Sequence, residues 1–154
     1  MTYIDNHTKT DGCVFCNEQA KADSAENLIA IRGERAYVIL NRYPYTSGHV
    51  MAVPYAHVRS LEDLSPQARA ELMELATHAV SVLRVLYHPQ GFNLGINMGE
   101  AAGAGIADHV HLHIVPRWAG DTNFMTAVGS TRVLPETLDD SYTRICAQWT
   151  REDA

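Results

Sequence analysis

The chain holds few cysteines, three in 154 residues, and they do not form a disulfide framework: Cys13 and Cys16 make one Cys-x-x-Cys pair and Cys146 stands alone. Long apolar runs are missing too. Nothing approaches the roughly 20 residues that span a bilayer, and Met1 to Gly12 is polar, without the core of a signal peptide. We therefore expect a cytoplasmic protein with no membrane partner. Basic residues are scarce, 12 Lys and Arg against 18 Asp and Glu, for a formal charge of −6. That balance argues against a nucleic-acid partner, since a diffuse cationic surface is lacking, but leaves room for a local anion pocket. The glycine loop Gly99 to Gly105 has no Gly-Lys-Ser/Thr after it, and Gly103-x-Gly105 lacks the third glycine of a dinucleotide fingerprint.

What is present is enough for one domain, with 46% hydrophobic and 19% charged residues. We expect a flexible tail over residues 1–12 and a single domain over 13–154. Leu28 to Ile31 and Ala36 to Leu40 read as strands joined across Arg32-Gly33-Glu34-Arg35, and Gly48 to Val53 as a third that stops at Pro54. Ser65-Pro66 supplies an N-cap and a first-turn proline. The helix they open carries Leu72, Leu75, Ala76, Ala79, Val82, Leu83 and Leu86 at three-and-four spacing and ends near Tyr87. Phe92 to Met98 reads as another strand, and Leu138, Tyr142, Ile145 and Trp149 repeat at helical spacing near the C-terminus. Short-turn strands around one long helix predict an α+β domain on an antiparallel sheet of about five strands. Cys146 and Trp149 are expected in the core, and His7, His78 and His88 on the surface.

The most distinctive run is His109-Val110-His111-Leu112-His113-Ile114-Val115, closed by Pro116. In an extended strand alternate side chains share a face, so three imidazoles line one side and Val110, Leu112 and Ile114 the other. Imidazole is both a nucleophile and a metal ligand near neutral pH, so such a face is a reagent surface. The Cys13/Cys16 pair by itself fits a redox pair, half a zinc site, or neither.

His-x-His-x-His followed by two apolar residues resembles the signature of the histidine triad (HIT) family of nucleotidyl hydrolases and transferases. The likeness continues through Asn41-Arg42-Tyr43-Pro44, Gly48-His49 and its apolar strand, Pro54 through His57, and Asn97 with its glycine loop, all in family order. The resemblance implies a HIT-like fold and a homodimer. It implies His111 as the nucleophile on an α-phosphorus, with His49 and His113 donating to phosphate oxygens. One ring nitrogen of His111 must attack while the other keeps a proton, so a carbonyl or neighbouring side chain is expected to fix the tautomer. Asn41 is implied as a ribose or base contact and Asn97 as a phosphate contact, while Trp118 offers an aromatic platform. A zinc-bearing branch of the family draws four ligands from positions that are here Cys13, Cys16, His57 and His109.

The loop departs from the commonest pattern. Many members carry Gln-Ser or Gln-Thr where this chain has Gly105-Ile106, so a side-chain amide that touches the leaving group or positions water is absent. Gly103, Ala104 and Gly105 are expected to turn backbone N–H groups toward phosphate oxygens. With Val115 to Asp121, this loop resembles the branch containing diadenosine tetraphosphate phosphorylases, in which inorganic phosphate accepts the nucleotide. The rival readings are a phosphoramidate or dinucleoside polyphosphate hydrolase, a catalytic metal held by His109, His111 and His113, and a nucleotide sensor without turnover.

Overall fold

A computed structural model describes residues 12–122 and 134–152. The expected tail, with His7, lies outside the described residues apart from Gly12. Helix α1 (Val14–Gln19) is followed by β1 (Ile29–Arg32), β2 (Ala36–Leu40), β3 (Val50–Pro54), α2 (Pro66–Tyr87), β4 (Gly91–Ile96), β5 (Leu112–Arg117) and α3 (Leu138–Glu152), with short 3-10 turns at Leu61–Asp63 and Glu100–Ala102. The strands form one antiparallel sheet in the order β1-β2-β3-β5-β4.

Central strands β2 and β3 are buried along their whole length, which is why both read as nearly continuous apolar runs. Helix α2 packs across β2, β3 and β5 through Leu72, Ala76, Ala79, Val82 and Leu83, while Leu75 and Leu86 sit at the margin of that stripe. Ser65 caps it, its hydroxyl accepting the Ala68 N–H at 3.1 Å. The helix ends at His88, which takes a left-handed conformation before Pro89. Helix α3 closes the molecule against α2 and β1 with Ile145 and Trp149 buried.

Several boundaries differ from the expectation. The first strand starts at Ile29 because Leu28, though buried, sits at φ 62°, a conformation no strand continues. β3 includes Pro54 and β5 runs through Pro116 to Arg117. Each proline lies beyond the β3–β5 pairing, which ends at Ala52↔Leu112 and Val50↔Ile114, so no bond on that side requires its missing N–H. The fourth strand stops at Ile96. His78 is half-buried rather than exposed, its ring 4.6 Å from that of Trp149, and Cys146 is only partly buried.

Candidate functional site

The three histidines do not share one exposed face. β5 begins at Leu112, so His109 and His111 precede the strand. Both rings are buried, at 0% and 4% exposure. The reason lies between the two cysteines: Phe15 packs its ring against His109 and His111, with centroids 5.3 and 4.9 Å away. On the other side Leu112 and Ile114 join the main core, as alternation requires, while Val110 enters a small satellite cluster with Leu64 and Ala68.

The ring of His111 is oriented by its own chain. Its Nδ1–H donates to the carbonyl of His109 at 2.8 Å, so the lone pair sits on Nε2. Burial holds the ring below its ordinary pKa, only partly offset by that hydrogen bond. A neutral imidazole with a fixed tautomer is what a nucleophile needs.

His113 is oriented by a relay. The Tyr45 backbone N–H donates to Nδ1 of His49 at 3.1 Å, which places the His49 proton on Nε2. That nitrogen lies 2.9 Å from Nδ1 of His113 and donates to it. Nε2 of His113 is left as an N–H donor on the side away from His49. His49, buried at 1% exposure, therefore stands behind His113 with both ring nitrogens engaged. Its place in the relay is to orient His113. Burial, and secondarily the proximity of His111, pushes His113 down to about 4. The exposed ring of Tyr45 covers the pair, 4.7 Å from His49 and 6.2 Å from His113. The backbone donor of Tyr45 carries no sequence signal. Phe15, an aromatic inside the Cys-x-x-Cys pair, does.

The side chain of His109 serves a different centre. Its Nε2–H donates to the Pro54 carbonyl at 2.8 Å, turning the Nδ1 lone pair toward Cys13 Sγ (3.3 Å), Cys16 Sγ (3.7 Å) and His57 Nδ1 (3.3 Å). Cys16 Sγ lies 3.4 Å from His57 Nδ1, and the four ligand atoms fall within 4.8 Å of one another. Zinc bonds of about 2.3 Å to sulfur and 2.0–2.1 Å to nitrogen imply tetrahedral edges of roughly 3.3–3.8 Å. The four atoms fit such an ion, with the backbone carbonyl as the outer partner that fixes the ligand tautomer. Cys16 is raised by burial and by the adjoining Cys13, the mutual penalty a cation between two thiolates removes. Because His109 belongs to this cluster and Nδ1 of His113 to His49, the three histidines do not converge on one catalytic ion.

The glycine loop differs from the expected nest. The Gly103 N–H is donated to the Glu100 carbonyl at 2.9 Å and that of Ala104 to the Gly99 carbonyl at 3.4 Å, so both amides close the loop's own turn. Gly105 is the one of the three not used in it. A Cβ added at Gly99, Gly103 or Gly105 would meet no atom within 4 Å, so the loop is bordered by open space. Asn41 is half-buried, with its carbonyl accepting the Tyr43 N–H at 2.9 Å and its amide nitrogen 3.4–3.5 Å from the ring nitrogens of His49. Asn97 is half-buried just past β4. Trp118, also half-buried, gives its backbone N–H to Asp121, which holds Arg117.

The model of the HIT domain matches residues 23–120. The chain belongs to the HIT family. Two AP-4-A phosphorylase sequences from strains of Mycobacterium tuberculosis are 44% identical to it over 127 residues, 82% of this chain and 65% of those proteins. The match thus spans just under two thirds of those relatives' length. An uncharacterized HIT-like protein of Saccharolobus solfataricus is 27% identical over 113 residues, 73% of this HIT chain and 79% of the relative. Among solved structures, a Zn-bound histidine triad family protein from Mycobacterium smegmatis superposes with a TM-score of 0.73 at 29% identity, covering 92% of this chain and 96% of that one. The α+β HIT-like fold is therefore as expected, a five-strand antiparallel sheet with a long and a C-terminal helix. Among the described residues no helix is long and apolar enough to cross a membrane.

Proposed function

We propose that this HIT chain is a nucleotidyl transferase of the diadenosine tetraphosphate phosphorylase type. Nε2 of His111 attacks the α-phosphorus of the dinucleotide, forming a P–N bond as the bond to the bridging oxygen breaks and ATP departs. Nε2–H of His113 donates to phosphate oxygens during that step. An oxygen of inorganic phosphate then attacks the same phosphorus, the P–N bond breaks, and ADP is released with His111 restored. The observation that carries this reading is the tautomer of His111, fixed by the His109 carbonyl with Nε2 as the attacking atom. The 44% identity to AP-4-A phosphorylases supports the substrate and acceptor. The open border of the glycine loop supports room for a second anion, with Gly105, Asn97, Asn41 and Trp118 as candidate nucleotide contacts.

In this reading zinc, held by Cys13, Cys16, His57 and His109, is structural, pinning the N-terminal knuckle and α1 to the segment that carries His111. Residues 13–154 act as one domain, in the cytoplasm, as a homodimer.

Product analysis tests the function. With oxygen-18 phosphate, diadenosine tetraphosphate should give ATP and labelled ADP, and turnover should be slow without phosphate. AMP plus ATP formed at the same rate regardless of phosphate overturns the choice of acceptor and makes the chain a hydrolase. His111→Asn should keep fold and nucleotide binding while losing most turnover, and only the unsubstituted chain should show a nucleotidyl adduct by mass spectrometry.

A further inference from the structure

His49 borders a small cavity that Leu134, Glu136, Leu138 and Ser141 also line, residues beyond the family match, which ends at residue 120. Gly48, immediately before it, sits at φ +76°, and a Cβ there would lie 2.9 Å from the ring of Tyr87 and 3.0 Å from Leu83. The end of helix α2 is thus a surface against which the backbone entering His49 is pressed. Tyr87 is itself held: its hydroxyl donates to the carboxylate of Glu136 and the guanidinium of Arg144 lies over its ring, 4.9 Å from the centroid. Ser141 also donates to Glu136, at 2.6 Å, and Arg144 pairs with its second oxygen. Burial alone would raise the Glu136 carboxyl, but the donors from Ser141, Tyr87 and Arg144 outweigh it and hold it below the ordinary range. That small cavity is lined by His49, Gly48 and Ser47 on one side and by Glu136 and Ser141 on the other, and the Ser47 hydroxyl there is buried without a hydrogen-bond partner among the described residues.

We propose that Glu136 and Tyr87 are positioning residues for the His49–His113 relay. Glu136 fixes the plane of Tyr87, Tyr87 fixes the backbone at Gly48, and Gly48 sets the reach of His49 Nε2 to His113 Nδ1. The C-terminal segment thereby aims the donor of His113 without touching substrate. The inference rests on the nucleotidyl-transfer reading for its kinetic arm only.

The test uses the full chain with Glu136→Ala, Glu136→Gln and Tyr87→Phe. In long-range 15N–1H spectra, the ring nitrogens of His49 and His113 should show one tautomer each in the unsubstituted protein and averaged shifts in Glu136→Ala. Glu136→Gln, which still accepts from Tyr87, should restore the single-tautomer pattern. Turnover of diadenosine tetraphosphate with phosphate, counted per burst-titrated site, should fall about tenfold in kcat for Glu136→Ala with KM within about twofold. Tyr87→Phe, which keeps the ring but loses its anchor, should fall between. A folded Glu136→Ala with unmoved imidazole signals overturns the proposal. So does a loss of activity due only to fewer active sites at unchanged kcat per site. The spectroscopic arm needs no substrate, so it decides the positioning role even if diadenosine tetraphosphate is not turned over.

Discussion

At the scale of single residues, the neutrality of His113 makes stability depend on pH. Its folded value of about 4 lies below the ordinary 6.5, so the unfolded chain binds a proton that the folded chain refuses. The stability it contributes is complete above pH 6.5 and is lost as pH falls from there to about 4. For a half-buried ring this amounts to about 1–2 kcal/mol between pH 7 and pH 5. His113→Asn should therefore flatten, but not abolish, the drop in melting temperature between those values, because His109 and His111 are lowered as well. An unchanged slope in the variant would show that His113 titrates normally. The histidine tautomers mark where sequence reading ends. Alternating histidines show which residues gather at the candidate site, but the separate orientations come from the Tyr45 amide and from the His109 and Pro54 carbonyls. Backbone groups are the same at every position and leave no mark in the sequence.

At the scale of elements, the turn between β1 and β2 depends on helix α2. The carboxylate of Glu71 accepts the N–H groups of Glu34 (2.6 Å) and Arg35 (2.9 Å), and a Cβ on Gly33 would collide with that carboxylate and lie 2.9 Å from the Ala36 carbonyl. Gly33→Ala should destabilise by about 1–3 kcal/mol in urea unfolding at pH 7, and Glu71→Ala by about 1 kcal/mol, since water can take over the two exposed amides that its carboxylate holds. Removing the α2 cap with Ser65→Ala should cost about 1 kcal/mol. Both ends of α2 and the stripe facing the sheet were readable, because capping and periodicity are local properties of the chain. The hairpin turn was also legible, but its tie to Glu71 joins residues 36 apart and appears only once the helix is packed. The glycine loop was readable as a loop beside the triad. The use of its Gly103 and Ala104 amides was not, since composition does not say whether an N–H points outward or back into its own turn.

At the scale of the whole molecule, the four-ligand cluster joins α1, the turn after β3 and the approach to β5. Exposed His57 brings one ligand to the surface, so a strong chelator has access. We expect about one zinc per chain by elemental analysis, as tetrahedral coordination sets, and a lower melting temperature after chelation that added zinc restores. Metal-free protein melting at the same temperature as the loaded form would remove the structural role. The cysteines sit 41 or more positions from their histidine partners, so spacing alone does not join them; the family pattern does.

His109 divides its work between main chain and side chain. The carbonyl, which any amino acid possesses, orients the ring of His111, and only the imidazole belongs to the metal cluster. These two duties can be inherited separately. A descendant could lose Cys13, Cys16, His57 and the His109 ring as one unit, refill the space with apolar side chains, and still present the same carbonyl to His111. The metal cluster is thus a part of the scaffold separable from the orientation of His111, because the two rest on different atoms of the same residue.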